Sequence, residues 1–520
     1  MKTKQQFFYN ALLLTAVALL MRTVGVAFNV YVSSKVGAEA MGLLSLISGV
    51  YSFAVTFATS GIHLATVRTF AEKLNETGGA ENKKCLRACV LYALLFSALA
   101  TVALLALARP IGLFILKDKR TVRALCMLSF TLIPIAISTV FNGYFTAVRR
   151  AYKNALAQVT EQAVKITLTG YLLVVVAPKT VEGCVLAILL GGAVSEMLTF
   201  AFNFTLYLFD KRHFTGVKPQ KSHKKINVAR VALPVAISAY MRSGLLTIEH
   251  ILIPRGLQRF GAGNSTALAA YGTLQGMALP VILYPAAILS SFSALLIPEV
   301  TEQQAIGNKK EIRYIAGRAY QMALLFSIGT AAVMLFLSGE LGTVLYKNAE
   351  VGVFIKKLAP LIPIMYLDTA TDAILKGLGE QVYSMNVNII DAMISVVLVF
   401  VLVPIMGMDG YILTIYVTEI LNASFSICRM LKVSGYRPRL TRLLLQPLFA
   451  AVGAASIANI VFRAFGQALV ASPLSLTLHI VAVLVFYAIL LIATGTLTRA
   501  DVKWLLRSLT KPRASDKKGA

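Results

Sequence analysis

Val194-Ser195-Glu196-Met197-Leu198 sits in the middle of one apolar run, 183–208, and Val417-Thr418-Glu419-Ile420-Leu421 sits in the middle of another, 410–431. The two pentapeptides match position by position, and each carries one carboxylate in an otherwise apolar stretch. Working outward, Met21-Arg22-Thr23 recurs as Met241-Arg242-Ser243, and Leu132-Ile133-Pro134-Ile135 recurs as Leu361-Ile362-Pro363-Ile364. Glu182-Gly183 recurs as Asp409-Gly410, and Glu161 has Asp391 as its counterpart. The offsets run from 220 to 230 residues and keep one order along the chain. Short apolar peptides recur by chance, but a shared order at a near-constant offset points to an internal duplication.

The surroundings of these matches set the fold class. Of 520 residues, 57% are hydrophobic and 14% charged, against about 45–50% and about 25% in soluble domains. Mean hydropathy is +0.74. A disordered chain is excluded, a soluble multidomain enzyme is improbable on composition, and the lack of a short period excludes a fibre. A helix needs roughly 20 mostly apolar residues to cross the hydrocarbon. Fourteen such stretches lie near 8–32, 42–67, 86–108, 123–147, 154–177, 183–208, 229–253, 269–297, 314–338, 357–377, 384–404, 410–431, 443–464 and 474–496. The first is longer than the apolar core of a signal peptide and holds Arg22, so it reads as a retained span. The duplication maps spans one to six onto seven to twelve. Six is even, so both copies enter from the same side and form parallel repeats. The expected architecture is an all-α polytopic membrane protein with two parallel six-helix lobes, 1–209 and 229–432. A basic linker, 210–228, joins the lobes. Two further spans, 433–498, and a basic tail, 499–520, follow.

Orientation follows from charge. Lys and Arg total 50 against 23 Asp and Glu, a net charge of +27. With the N-terminus inside, 32 of the cations fall on inner segments and 13 on outer ones. That bias places both termini in the cytoplasm. It also accounts for the basicity through membrane lipids, without nucleic acid. The five cysteines and five histidines show no spacing for a disulfide framework, a zinc site or a metalloprotease. Cys85 and Cys89 are four apart and share a helix face. No GxSxG elbow and no Walker loop occurs, and no connection is long enough for a catalytic head. The chain reads as a transporter, not an enzyme, without a bound cofactor and driven by an ion gradient or the membrane potential.

Charged residues at membrane depth usually face a cavity or one another. Arg22 and Arg242 suit phosphate oxygens, because a guanidinium offers a planar fork of donors and keeps its proton. The alternative is an ion pair inside each lobe, Arg22 with Glu196 and Arg242 with Glu419. Lys165 is a third deep cation, while Arg68 and Arg255 lie near helix ends, where snorkelling is the default. Seven acids lie deep or nearly so: Glu161, Glu196, Glu249, Asp368, Asp372, Asp391 and Glu419. Such carboxylates pair, bind a cation or take a proton. Asp368 and Asp372 share a face with Lys376, which also reads as an ion-pair ladder. Pro280 and Pro285, with Gly272 and Gly276, interrupt the eighth span.

Three stretches carry a family resemblance. The first runs Tyr271-Gly-x-x-x-Gly276-Met277-Ala278-Leu279-Pro280 to Tyr284-Pro285 and Leu296-Ile297-Pro298-Glu299. The second is Leu358-Ala359-Pro360-Leu361-Ile362-Pro363 with Leu375-Lys376-Gly377-Leu378-Gly379, and the third is Leu402-Val403-Pro404 with Gly407-x-x-Gly410-Tyr411. The chain resembles the stage V sporulation protein B group of the multidrug/oligosaccharidyl-lipid/polysaccharide exporter superfamily, which also holds the bacterial lipid II flippases. The resemblance spans the whole chain. It implies fourteen helices, alternating access, and flipping of a polyprenyl-pyrophosphate-linked oligosaccharide or peptidoglycan precursor across a bacterial cytoplasmic membrane. The implied partners are that lipid-linked saccharide, membrane lipids and cell-wall synthesis enzymes. Cavity arginines in helices one, two and eight would be Arg22, Arg68 and, loosely, Arg255. A Na⁺ or H⁺ site in helices eleven and twelve would use Asp391 and Glu419. His250 after Glu249 departs from the expected acidic-apolar pair in helix seven. The rival readings are a cation-coupled multidrug exporter of the same superfamily and a membrane glycan polymerase or ligase.

Overall fold

The computed structural model describes residues 2–77, 82–150, 152–176, 180–211, 228–438, 441–465, 472–498 and 501. Of the linker 210–228 only 210, 211 and 228 are among them, and of the tail 499–520 only Asp501. Among the described residues the regular structure is entirely helical. A helix is what an apolar chain in hydrocarbon must form, since it satisfies every backbone donor and acceptor within one segment.

Helix covers each of the fourteen apolar stretches. Among the described residues nine helices are long and apolar enough to cross a membrane. The count is ten when Arg120–Ser129 and Leu132–Ala147, bent by 42° at their junction, form one span. The first of the nine, Val17–Glu72, runs through two of the fourteen stretches. The fifth, seventh and tenth stretches are helical too, as Tyr152–Tyr171, Val228–Arg259 and Ile362–Gly377. They are absent from the nine, and they are the helices that carry Glu161 and Lys165, Arg242 and Glu249, and Asp368 and Asp372. Polar load keeps Tyr152–Tyr171 below the threshold for a simple span, and a length of 16 residues does so for Ile362–Gly377. The eighth stretch is interrupted as its prolines and glycines predict. The helix Asn264–Gly272 gives way to a π-helical turn, Thr273–Ala278, then to the helices Leu279–Leu283 and Ala286–Ile306.

By packing, the chain divides into two units. One comprises Met1–Ser34, Thr273–Ser395 and Met408–Ala520; the other comprises Lys35–Gly272 and Val396–Gly407. This division does not follow the halves of the sequence repeat. Three of the four passages between units lie at or near a helix break, and the fourth, between Ser395 and Val396, lies inside the helix Gln381–Met406. The helix Lys2–Thr59 is broken at Gly37, with φ 81°, a value open to glycine and strained for other residues. A second passage coincides with the π turn at 273, and a third with Gly407, φ 62°. A break lets consecutive half-helices find different neighbours, so sequence halves and packing units need not coincide.

In the unit containing 35–272, Phe70, Phe141, Tyr144, Phe145 and Tyr207 form an aromatic core around Cys85 and Cys89. The cysteines that share a helix face are thus wholly buried core residues. At one end Asp210 accepts hydrogen bonds from Tyr144 (3.0 Å), Lys153 (2.6 Å) and Arg150. Small residues set the tightest crossing. A Cβ on Gly42 would lie 1.8 Å from the Leu268 carbonyl oxygen, and one on Gly272 would lie 2.1 Å from that of Ala38. In the other unit Leu296, Ile312, Ile315, Tyr320, Ile374 and Met430 form one core. The helices Gln446–Phe465 and Pro473–Ala493 pack on Lys309–Phe336, where Tyr487 donates to the Leu325 carbonyl at 3.0 Å. Large apolar side chains such as Leu91, Phe114 and Phe449 stand exposed along the helices, the pattern of a surface solvated by lipid.

Candidate functional site

The repeated arginines are both exposed. Among the described residues neither Arg22 nor Arg242 forms an ion pair with a carboxylate, so the expected pairs with Glu196 and Glu419 do not account for them. Arg22 lies in the unit that holds Tyr284 and Tyr366. Its charge reaches Tyr366, and the adjacent Thr23 hydroxyl bonds the Tyr284 phenol at 2.9 Å. Tyr366 in turn donates to the Ile282 carbonyl at 2.5 Å. Arg242 lies in the other unit. The residue after it, Ser243, donates to Thr56 Oγ1 at 3.2 Å, and Tyr240 donates to the Phe57 carbonyl at 3.2 Å. In both copies, then, the hydroxyl following the arginine is tied to another part of the same unit. The repeat of Thr23 as Ser243 was the sequence signal for this anchoring.

The remaining cations are placed differently. Arg68 pairs with Glu72 at 2.9 Å, both well exposed, which is the helix-end snorkel. Arg255 is half-buried and donates to the Phe114 carbonyl. Lys165 is not an isolated cation. It lies one turn from Glu161, and both act on Glu196, so this interior holds two carboxylates and one lysine. Tyr51 is hydrogen-bonded to Thr131 within reach of the Glu196 charge.

Of the seven deep acids, four converge in one unit. Asp368 and Asp372 come from Ile362–Gly377, Asp391 from Gln381–Met406 and Glu419 from Met408–Ser434. Asp372 and Asp391 act electrostatically on Asp368, and Asp368 and Asp391 act on Glu419. Glu249 is buried in the other unit, apart from this cluster. Beside it His250 bonds the Tyr271 phenol at 2.8 Å and packs against Gly49, so the departure at this position is part of helix packing. Within the cluster Ser384 donates to Asp372 at 2.5 Å, and Ser426 bonds Asp368. The predicted Asp368–Asp372–Lys376 ladder is reduced to one long contact, Lys376 to Asp372 at 3.9 Å. Asp368 Oδ1 and Asn422 Oδ1 are buried without hydrogen-bond partners among the described residues. Glu419, Asn422 and Ser426 share one face of their helix, a spacing that pointed to Asn422 and Ser426 and was not read from the sequence. The donor set is hard oxygen, which suits a small hard cation or a proton. Among the described residues no three or more acids, histidines or cysteines converge as a formed metal cage.

Away from the spans, Asp118 occupies the turn before the helix Arg120–Ser129. Burial pushes its carboxyl up, but the hydrogen bonds and charge of Arg120, with a bond from Asn264, outweigh this and hold it below the ordinary carboxylate range. Arg120 also reaches Glu39 at 2.8 Å.

Comparison with known proteins bears on this arrangement. Stage V sporulation protein B of Bacillus subtilis (strain 168) is 26% identical over 420 residues, covering 79% of this chain and 81% of that protein. Lipid II flippase MurJ of the same strain is 24% identical over 455 residues, covering 81% and 82%. In three dimensions, the inward closed conformation of lipid II flippase MurJ aligns with a TM-score of 0.70 at 13% identity, over 92% of this chain and 97% of that one. An inward-facing multidrug resistance MATE family transporter of the MOP superfamily aligns with a TM-score of 0.63 at 15% identity, over 82% and 100%. The fold is therefore that of the MOP-superfamily transporters. Residues 7–304 match the family described as polysaccharide biosynthesis protein, and the chain belongs to that family.

Proposed function

We propose that this multi-pass membrane protein flips a polyprenyl-pyrophosphate-linked oligosaccharide or peptidoglycan precursor across the cytoplasmic membrane by alternating access. The observation that carries the reading is the pair of exposed mid-helix arginines, Arg22 and Arg242, which no described carboxylate neutralises. A guanidinium at membrane depth without an internal counter-charge calls for an anionic ligand, and phosphate oxygens accept the forked hydrogen bonds it donates. The named activity of the MurJ relative supports the same substrate class. Arg22 is the principal contact. Arg242 is the second, Arg68 and Arg255 act at the helix ends, and Lys165 contributes within a locally acidic setting. Nothing in this chemistry requires a bond to be made or broken, which separates it from a polymerase or ligase.

The cluster of Asp368, Asp372, Asp391 and Glu419 supports a cation-driven reset. Four carboxylates facing one lysine in a buried setting favour whichever state takes up Na⁺ or a proton. A multidrug exporter would use the same fold and the same acids. Exposed arginines disfavour its cationic substrates. Cell-wall synthesis enzymes are natural partners of a flippase that delivers their substrate. The deciding experiment is flipping of a fluorescent undecaprenyl-pyrophosphate-linked saccharide in proteoliposomes. Arg22→Ala is expected to lower the rate at least ten-fold at unchanged protein level, with Arg22→Lys intermediate. Wild-type transport of a cationic dye with no lipid-linked sugar flipping would overturn the reading.

A further inference from the structure

A second basic site lies in the unit containing 273–395, and neither repeated arginine is among its lining residues. A cavity of about 1010 Å³ opens between the start of the helix Lys309–Phe336, the end of Met408–Ser434, Thr498 and Asp501. Its walls carry Lys310, Arg313, Lys432 and Arg437, together with Arg318 and a single acid, Asp501. The acid is already spent: Asp501 is buried and takes Arg318, the Thr498 hydroxyl at 2.6 Å and the Thr498 amide at 2.8 Å. The other four cations meet no carboxylate among the described residues. The adjoining sequence, 502–520, is itself basic, with six Lys and Arg against one Asp.

The walls are built, not merely charged. Tyr436 lies against Gly317, where a Cβ would come within 2.8 Å of its ring, and meets Tyr320 edge-on at 6.0 Å. Its amide donates to the Ser434 hydroxyl at 3.2 Å. Gly435, φ 68°, leaves room for the Arg313 guanidinium, which a Cβ there would approach to 3.3 Å. The Arg318 guanidinium stands over the Tyr314 ring at 5.3 Å. The site thus joins two arginine forks and two lysines to phenol-bearing walls at one end of the helices. Basic pockets between spanning helices at the headgroup level bind phosphorylated lipid heads, and the guanidinium fork matches phosphate oxygens.

We infer that this cavity binds a phosphate-bearing anion, through Arg313 and Arg437 with Lys310 and Lys432 beside them. Two sources share that chemistry: the headgroup of an anionic phospholipid and free inorganic pyrophosphate. Neither Arg22 nor Arg242 lines the site, and its occupancy is read by binding, not by flipping. It therefore stands or falls independently of the transport reading.

The full-length protein, purified in a neutral detergent, is titrated in native mass spectrometry with phosphatidylglycerol, cardiolipin or phosphatidylcholine. In parallel it is titrated calorimetrically with inorganic pyrophosphate. Each surface cation contributes about a five-fold change in affinity for an anionic lipid. The variant Arg313→Gln/Arg437→Gln is therefore expected to bind about 25-fold more weakly. Removing the same charge elsewhere, as Lys119→Gln/Lys356→Gln, is expected to leave affinity unchanged. All four side chains are exposed, so neither variant removes core packing. Preference for the anionic lipids, lost in the arginine variant, supports the inference with a lipid head as ligand. Pyrophosphate binding alone, lost in the same variant, supports it with a soluble ligand. Equal binding of phosphatidylcholine and anionic lipids with no pyrophosphate heat, or equal behaviour of the two double variants, overturns it.

Discussion

The crossing at Gly42 and Gly272 gives the sharpest quantitative test of how this fold is held. Both glycines lie in the unit containing 35–272. A Cβ on Gly42 would stand 1.8 Å from the Leu268 carbonyl oxygen and 2.7 Å from its carbon. Ordinary contact between heavy atoms is about 3.5 Å, so Gly42→Ala forces the two backbones apart by about 1.5 Å. A carbonyl oxygen in a helix cannot rotate away as a side chain can. The cost belongs at or above the upper end of the about 1–3 kcal/mol typical of overpacking. Alanine returns about 1 kcal/mol through its better helix propensity, which leaves a net loss of about 2 kcal/mol or more. Gly170→Ala is the internal control, because nothing lies within 4 Å of a Cβ there; only the propensity gain remains. Gly272→Ala meets the Ala38 oxygen at 2.1 Å and is expected to behave like Gly42→Ala. The double variant should cost less than the sum, since helices already parted make room for the second methyl. The assay is apparent melting of the purified protein followed by size-exclusion chromatography after heating. Gly42→Ala is expected to melt several degrees below wild type, and Gly170→Ala at or slightly above it. Indistinguishable melting of these two variants would refute the account of small residues setting this crossing.

Removing the converging acids should uncouple transport from its driving force: in proteoliposomes with imposed Na⁺, proton and voltage gradients, Asp391→Asn and Glu419→Gln are expected to lose the gradient response that wild type shows. Indifference of wild type to all three gradients would sink the coupling proposal. Asp118 has its carboxyl held down by Arg120 in the folded chain, so its contribution to stability is complete above the unfolded value near about 4 and is lost as pH falls through the lower folded value. Wild type should therefore lose stability on acidification below about pH 4, and Asp118→Asn should be less stable at neutral pH with a flatter acid limb; parallel melting curves for the two across that range would contradict the geometry. Cysteines placed at Lys221 and Asp516 in a cysteine-free background are expected to react only with reagent from the cytoplasmic side, and labelling from outside would reverse the charge-based orientation.

Much of this was legible in the residues alone. The fourteen helical stretches follow from apolar length, because a chain in hydrocarbon must satisfy its backbone internally. The break in the eighth stretch follows from Pro280, Pro285 and their glycines. The repeat picked out Arg22 with Arg242 and Glu196 with Glu419, and its register extends to the anchoring hydroxyls of Thr23 and Ser243. These features depend on one segment at a time or on comparing two segments in order. Which helices become neighbours depends on surface fit between segments far apart in sequence, and periodicity does not report that. Hence only the tertiary structure brought Asp368, Asp372, Asp391 and Glu419 together with Ser384 and Ser426, and put Glu249 in the other unit. It also gave Arg22 the company of Tyr284 and Tyr366 in place of Glu196, and set Lys165 beside two carboxylates. A charge at membrane depth is visible in a sequence as a cost; what offsets that cost is a matter of which side chain lies across the gap, and packing alone decides it.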